Sequence, residues 1–207
     1  MQQGLRIGMT GGLGCGKSEV ASLLIGHGLA VRDADVIARD LLEPGTGVHR
    51  EVLEWFGPAV ADDQGRIRRE IVADRIFSDP AMRHRLEALV HPAVFDLLDQ
   101  WFAEVTRGGA PAVAVVPLLF EAGREGWVDR ILCVAASPEV ALERVVARGM
   151  RRADAERRMA AQWPIQEKAE RSHTTIWNNG TREDLGRAVE AWIQQLQKET
   201  GCDVGAA

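Results

Sequence analysis

The chain has 207 residues, of which 46% are hydrophobic and 27% are charged, and its formal net charge is −5. This size and composition are typical of a globular protein with one domain and any inserted subdomains, and they exclude wholesale disorder and collagen. The negative charge gives no support for a nucleic-acid partner. The apolar runs are also shorter than the roughly 20 residues that cross a membrane.

Three widely spaced cysteines, Cys15, Cys133 and Cys202, form neither a zinc-binding pattern nor a paired disulfide framework. Reduced thiols of this kind are typical of cytosolic proteins, so we expect a cytoplasmic location. We expect small-molecule partners, no membrane and no nucleic acid, and a monomer or a weak homo-oligomer.

Strands and helices alternate at both ends of the chain. Short apolar runs predict strands at 5–9, 29–32, 112–116, 131–135 and 174–177. Helical spacing predicts helices at 18–25, 36–42, 138–148, 154–163 and 185–196. Between 48 and 107 no strand is evident, and three apolar faces predict a helical insert. The alternation predicts an α/β protein with a parallel sheet and helices on both faces.

The strongest chemical signal is the run GGLGCGKS at residues 11–18, which matches the phosphate-binding pattern G-x-x-x-x-G-K-[ST]. It follows a predicted strand and opens a predicted helix, as the pattern requires. We expect these residues to bind the phosphates of a nucleotide: Gly12, Leu13, Gly14, Cys15, Gly16, Lys17 and Ser18. Backbone N–H groups would surround phosphate oxygens, Lys17 would reach the β and γ phosphates, and the Ser18 hydroxyl would bind Mg²⁺. A glycine-rich turn without a ligand is the alternative, which the complete match disfavours.

Two carboxylates, Asp33 and Asp35, follow the second predicted strand. Alternate residues of an extended chain share a face, so both would point toward the carboxyl edge of the sheet, where open α/β folds bind ligands. In a kinase, one of them would hold the acceptor hydroxyl and the other could contact the Mg²⁺ shell. The alternative is that Asp35 only caps the next helix.

Six arginines lie within 15 residues of this acidic chain, namely Arg144, Arg148, Arg151, Arg152, Arg157 and Arg158. Arginine suits bidentate phosphate contacts, and a mobile basic segment could close over a nucleotide and exclude water. We expect Arg144 and Arg148 to contact phosphate and to act in catalysis. The alternative for the others is a solvated helix face balanced by nearby acidic residues.

Three further positions are weaker candidates. His91, within the helical insert, is more typical of a structural histidine on the residues alone. Glu121 follows the third predicted strand and would line the site at the edge of the sheet, although a surface carboxylate is the alternative. The sequence Asn178-Asn179-Gly180 after the last strand predicts a turn first and an adenine contact second.

Taken in order, the segments of the chain are similar to those of dephospho-CoA kinases: TGGLGCGKS, RDADVIARDLLEPG, LVHPAV, VVPLLFEAG, WVDRILCV, R-x-x-x-RG, AAQ and WNNG. The resemblance covers about Leu5 to Leu196. The phosphate-binding loop alone is common to many nucleotide-binding proteins. Its combination with the D-x-D, H-P and P-L-L-F-E segments is specific to this family.

The resemblance implies ATP- and Mg²⁺-dependent phosphorylation of the ribose 3′-hydroxyl of dephospho-coenzyme A, which yields coenzyme A. It also implies a P-loop kinase-like five-stranded core at 1–47, 108–148 and 173–207, an acceptor-binding helical insert at 48–107 and a lid at 149–172. Asp35 would activate the acceptor hydroxyl with Asp33 nearby, while His91 and Leu118 would line the acceptor pocket.

Two other functions are compatible with parts of this pattern. A kinase for another small acceptor, such as a nucleoside monophosphate, would share the loop, the carboxylates and the arginines. A regulatory GTPase would need the guanine-specific N-K-x-D, which the sequence lacks. In addition, the third strand runs into Pro117 in place of the aspartate expected of a nucleotide-driven switch.

Overall fold

A computed structural model of the chain describes residues 4–201, so Cys202 lies outside the described part. The strands are β1 (Arg6–Gly11), β2 (Ala30–Asp33), β3 (Ala112–Val115), β4 (Arg130–Ala135) and β5 (Thr174–Trp177). They form one five-stranded sheet in the order β2-β3-β1-β4-β5. The prediction of a five-stranded parallel sheet is confirmed.

The pairing places β1 at the centre of the sheet. Met9 of β1 lies opposite Val115 of β3 on one side and Leu132 of β4 on the other, and all three strands run parallel. In an open parallel sheet, the loops that leave the carboxyl ends of the central strands form the ligand-binding edge. The loop that follows β1 therefore lies in the middle of that edge.

Nine helices complete the described part, and two further single turns of 3₁₀ helix lie at Pro58–Val60 and Glu125–Trp127. The helices are α1 (Lys17–Gly26), α2 (Ala34–Asp40), α3 (Gly47–Phe56), α4 (Arg69–Ser78), α5 (Pro80–Val105), α6 (Pro138–Ala147), α7 (Arg152–Ala160), α8 (Ile165–Arg171) and α9 (Arg182–Thr200). The sequence did not predict α8, because this seven-residue helix has no apolar stripe. Across residues 4–201, every helix is too short or too polar to span a bilayer.

Successive side chains of β1 point to opposite faces of the sheet, and both faces are packed against other parts of the protein. Ile7 and Met9 are fully buried in a core that also contains Val20 and Leu24 of α1 and the apolar face of α9. Gly8 points the other way, and a Cβ added to it would lie 3.1 Å from the side chains of Leu119 and Val128. Strands buried on both faces explain why the sequence of β3, AVAV, is continuously apolar.

The chain divides into two compact units. The first contains the described residues up to Arg32 and those from Phe102 onward, with the sheet and its core; the second is Asp33–Trp101. The second unit is helical apart from one isolated antiparallel bridge between Ala61 and Ile67. Its own core is a cluster of buried apolar side chains: Val48, Val52, Phe56, Val60, Ile67 and Val72.

Candidate active site

The phosphate-binding pattern folds into a tight loop between β1 and α1. Gly14 and Gly16 have φ angles of +77° and +96°, which side chains other than glycine rarely adopt. Space is limiting as well, since a Cβ on Gly14 would lie 2.4 Å from the carbonyl oxygen of Ala141. A Cβ on Gly16 would lie 2.3 Å from Nδ2 of Asn178. Both glycines are therefore required by conformation and by packing.

The loop carries several hydrogen-bond donors. Lys17 donates from Nζ to the carbonyl oxygens of Gly11 and Gly12, at 3.0 and 2.9 Å, so the ammonium lies against the loop. Within residues 4–201, the amides of Gly14, Gly16 and Ser18 donate to no protein acceptor. Unpaired amides at the start of a helix, together with an ammonium, are what an anionic phosphate group needs.

Asn178 supports the loop from the end of β5. Its side chain is buried and donates from Nδ2 to the carbonyl oxygen of Cys15 at 3.0 Å. Arg144 of α6 donates to the backbone oxygen of Asn178 at 2.9 Å and more weakly to its Oδ1 at 3.4 Å. One amide side chain thus connects the loop to an arginine that the sequence predicts at the site.

A cavity of about 220 Å³ adjoins the loop within the first unit. Its lining includes Gly16, Glu19, Arg144, Arg148, Asn178 and Gly180. Glu19 forms an ion pair of 2.6 Å with Arg182, which also lines the cavity, so the acidic group is neutralised locally. The two arginines therefore give this cavity a positive charge beside the loop.

The six clustered arginines divide into two groups. Arg144 and Arg148 line the cavity, whereas Arg151 and Arg157 pair with Asp154, and Arg152 pairs with Glu156 at 3.0 Å. Arg158 is exposed on α7. The hydrogen bonds from Arg151 and Arg157 hold the pKa of the Asp154 carboxyl below its ordinary value. Part of the cluster is therefore a self-balanced, solvated helix surface.

The two predicted acceptor carboxylates lie in the second unit. Asp33 ends β2 and caps α2, because its Oδ1 accepts the N–H of Asp35 at 2.7 Å. Asp35 is the second residue of α2 and its side chain is exposed. The expectation that both residues alternate on an extended strand is therefore wrong. The alternative, a helix cap at Asp35, is also wrong, because the Asp33 carboxylate is the cap and the helix begins two residues earlier than a cap at Asp35 would allow.

The remaining predicted residues have different surroundings. His91 is exposed on α5, in the second unit. In the first unit, Leu118 follows β3 and is 43% exposed, which is unusual for a leucine next to a buried strand. Glu121 is mostly buried, and its Oε1 lies 2.7 Å from Nζ of Lys168, whose side chain is fully buried.

Three residues with roles at this edge of the sheet were not among the predicted site residues: Asn178, Gln162 and Lys168. Asn178 was expected first as a turn residue, and its burial directly after a strand is what distinguishes it. Gln162 accepts the N–H of Leu13 at 3.0 Å, and only its place in the AAQ segment drew attention to it. Nothing in the sequence around Lys168 indicates that a lysine is buried there.

Comparison with known proteins decides the family. A family model described as dephospho-CoA kinase matches residues 5–184. The chain belongs to the dephospho-CoA kinase family. The resemblance found in the sequence is therefore confirmed.

Individual relatives agree with this assignment. The dephospho-CoA kinase of Geobacter sulfurreducens is 44% identical over 193 residues, which cover 92% of this chain and 98% of that protein. The dephospho-CoA kinase of Geobacillus kaustophilus is 39% identical over 193 residues, covering 92% and 96%. The crystal structure of TT1252 from Thermus thermophilus superposes with a TM-score of 0.78 at 39% identity, covering 94% of this chain and 99% of that one.

The fold extends to more distant members of the family. The dephospho-CoA kinase structure from Campylobacter jejuni superposes with a TM-score of 0.73 at 21% identity, over 94% of this chain and 98% of that chain. This similarity concerns the fold alone.

Proposed function

We propose that the protein transfers the γ-phosphoryl group of ATP to the ribose 3′-hydroxyl of dephospho-coenzyme A, giving coenzyme A and ADP. The observation that carries this proposal is the loop after β1. This loop holds Lys17, two sterically required glycines and unpaired amides, and it adjoins a basic cavity, in a chain of the dephospho-CoA kinase family. This reaction would be the last step of coenzyme A synthesis.

In this proposal the loop residues Gly12–Ser18 hold the triphosphate of ATP. Backbone N–H groups bind the phosphate oxygens, and the dipole of α1 favours their negative charge. Lys17 would exchange its contacts with loop carbonyls for contacts with the β and γ phosphates. Arg144 and Arg148 would stabilise the charge of the transferring group, because both line the cavity that adjoins the loop.

Magnesium would be held mainly by oxygen atoms, which it prefers as ligands. The exposed hydroxyl of Ser18, in the first turn of α1, fits that preference. Within the described residues, no three side chains of histidine, cysteine, aspartate or glutamate cluster as metal ligands. When bound, the ion would neutralise charge on the phosphate oxygens.

The acceptor alcohol would be oriented by Asp35. Its carboxylate is exposed in the first turn of α2, where it can accept a hydrogen bond from an incoming hydroxyl. The hydroxyl oxygen would attack the γ-phosphorus, the bond to the β–γ bridging oxygen would break, and ADP would leave. Because this transition state is loose, orientation by Asp35 matters more than complete removal of the proton.

The domain roles in this proposal are those that the family resemblance implies. We propose that the helical insert at 48–107 binds the acceptor, and that His91, Leu118 and Asp33 are among the residues that contact it. The segment 149–172 would act as a lid over the nucleotide, with the part from Gln162 onward held in place and any closing movement confined to the part before it. A cytoplasmic location and a monomeric or weakly oligomeric state remain predictions.

A panel of acceptors tests the reaction. ADP release would be measured with dephospho-coenzyme A and with a set of nucleoside monophosphates, each at the same ATP and Mg²⁺ concentrations. We expect release with dephospho-coenzyme A and a product that carries one new 3′-phosphate. Faster release with a nucleoside monophosphate, or release without any acceptor, would contradict the proposal.

Asp35→Asn tests the acceptor carboxylate. The amide keeps the shape but is a poorer hydrogen-bond acceptor, so we expect turnover to fall roughly 10²- to 10⁴-fold, the usual contribution of a positioned acid–base group. ATP affinity, measured by calorimetry, should be unchanged. Asp40→Asn, at the exposed end of the same helix, is the matched control and should retain full turnover.

A further inference from the structure

Gln162 contacts the phosphate-binding loop from the segment between α7 and α8. Its Oε1 accepts the backbone N–H of Leu13 at 3.0 Å, across 149 residues of sequence. Because the Leu13 N–H needs an acceptor, the oxygen of the Gln162 carboxamide faces the loop. The NH₂ group of the same carboxamide is then available for another partner. Within residues 4–201, that NH₂ group donates to no protein acceptor.

The backbone beside Gln162 is held by a buried ion pair. The N–H of Trp163 donates to Oε1 of Glu121 at 2.9 Å, and the same oxygen lies 2.7 Å from Nζ of Lys168. Lys168 also donates to the carbonyl oxygen of Pro117 at 3.0 Å, directly after β3. A buried charge pair of this kind allows little displacement, because separation would leave charges without partners.

Aromatic packing and the neighbouring turn restrict the same segment. The ring of Trp163 stacks on Phe120 at 5.8 Å with an interplanar angle of 14°, and the guanidinium of Arg171 lies 5.0 Å from the ring centre. On the other side, the N–H of Gln162 donates to the carbonyl oxygen of Met159 at 3.1 Å. Gln162 therefore approaches the loop from a braced backbone.

We propose that Gln162 is a further ATP-positioning residue, whose NH₂ group donates to an oxygen of the triphosphate while its Oε1 holds the Leu13 amide. The Gln162 side chain lines a cavity of about 190 Å³ together with Gly12, Leu13 and Cys15 of the loop, so its NH₂ group lies beside the loop, on the same carbon as the oxygen that accepts the Leu13 amide. Glu121 then acts as a positioning residue for this segment in place of a direct substrate contact. This inference rests on the proposed function of the loop in ATP binding.

Charge distinguishes this role from a purely structural one. Glutamate has the shape of glutamine and would still accept the Leu13 amide, so a structural brace would survive Gln162→Glu. If the carboxamide faces phosphate, the same change places a negative charge beside the triphosphate and replaces a donor with a second acceptor. Alanine removes both contacts without adding charge, which makes Gln162→Ala the neutral comparison.

The test measures the Kd of ATP by calorimetry, and kcat and both KM values by ADP release, for the wild type and four variants. We expect Gln162→Glu to weaken ATP binding at least about tenfold, since like charges at close range repel, and Gln162→Ala to weaken it by a smaller factor. In both Gln162 variants, the KM of dephospho-coenzyme A should stay within twofold of the wild-type value. Their unfolding midpoints should equal that of the wild type within error.

Gln194→Glu adds the same charge on the exposed side of α9 and should leave ATP binding unchanged, which controls for net charge. Glu121→Asp, the fourth variant, shortens the brace and should raise the KM of ATP more than it lowers kcat. Wild-type affinity in Gln162→Glu, or tighter binding in Gln162→Ala, would overturn the inference. A wild type that binds ATP but does not phosphorylate dephospho-coenzyme A would instead overturn the proposed reaction.

Discussion

The loop at 12–18 and the segment at 162–168 lie at the same edge of the sheet, but they are built in different ways. The loop takes its shape from consecutive residues, whose glycines satisfy positive φ angles at Gly14 and Gly16. The segment at 162–168 takes its position from contacts with distant residues, including Leu13, Pro117 and Glu121. A site can therefore combine one part that a motif encodes with another that only tertiary packing creates.

Breaking the buried ion pair between Lys168 and Glu121 should have the largest effect on stability. Lys168→Met keeps an apolar stem but leaves the carboxylate of Glu121, which is 16% exposed, without its cation. Removal of one partner from a buried pair typically costs roughly 3–5 kcal/mol of unfolding free energy. Urea unfolding would measure this loss.

The control for this prediction is an exposed pair in the adjacent helix. Arg152 and Glu156 are 70% and 53% exposed, so Arg152→Met should cost less than about 1 kcal/mol. Equal losses for the two variants would mean that the segment at 162–168 is not anchored by its ion pair.

Removing the loop ammonium should have the next largest effect, on catalysis. We expect Lys17→Ala to lower kcat roughly 10²- to 10³-fold, because one preorganised donor to developing charge is worth about that factor. Its unfolding midpoint should be near that of the wild type, since the ammonium donates to the carbonyl oxygens of Gly11 and Gly12 in its own loop. Lys198→Ala, exposed in the last turn of α9, serves as the comparison and should be fully active.

Adding one methyl group to the loop should lower both its stability and its affinity for ATP. Gly16→Ala forces a side chain into a φ of +96° and places its Cβ 2.3 Å from the amide nitrogen of Asn178. Strain of this kind costs about 1–3 kcal/mol, and the displaced loop should also bind ATP more weakly. Gly26→Ala, at the end of α1 with no atom within 4 Å of the new Cβ, should be neutral. A stable Gly16→Ala protein with normal ATP affinity would contradict the steric argument.

The smallest effect concerns acid stability of α7. The pKa of Asp154 is lowered in the folded state, so this carboxylate stabilises the fold above its unfolded pKa of about 3.9 and loses that contribution as pH falls through the folded value. Asp154→Asn should therefore flatten the decline of the thermal midpoint below about pH 4. A decline of the thermal midpoint as steep in Asp154→Asn as in the wild type would contradict this prediction.

Much of the fold was predictable, because parallel strands buried on both faces have continuous apolar sequences. All five predicted strands end within two residues of those observed. The phosphate-binding loop was equally accessible, since its motif specifies backbone conformation and chemistry together. Family resemblance supplied the substrate, which no pattern of apolar residues encodes.

The parts that sequence did not predict depend on distant partners. Lys168 would be expected on the surface, and its full burial makes sense only beside Glu121 and the carbonyl oxygen of Pro117. Likewise, α8 lacks an apolar stripe because a paired lysine occupies its buried face. Asp33 illustrates a local failure, in which a side-chain cap ended the strand before the expected alternation reached Asp35.

The contact between Asn178 and Cys15 joins positions that are 163 residues apart. During synthesis, the glycine-rich turn leaves the ribosome long before β5 exists to deliver its supporting amide. The loop therefore cannot gain this support until β5 has been synthesised. A nascent chain that stops short of β5 has the whole phosphate-binding motif but lacks the amide that braces it.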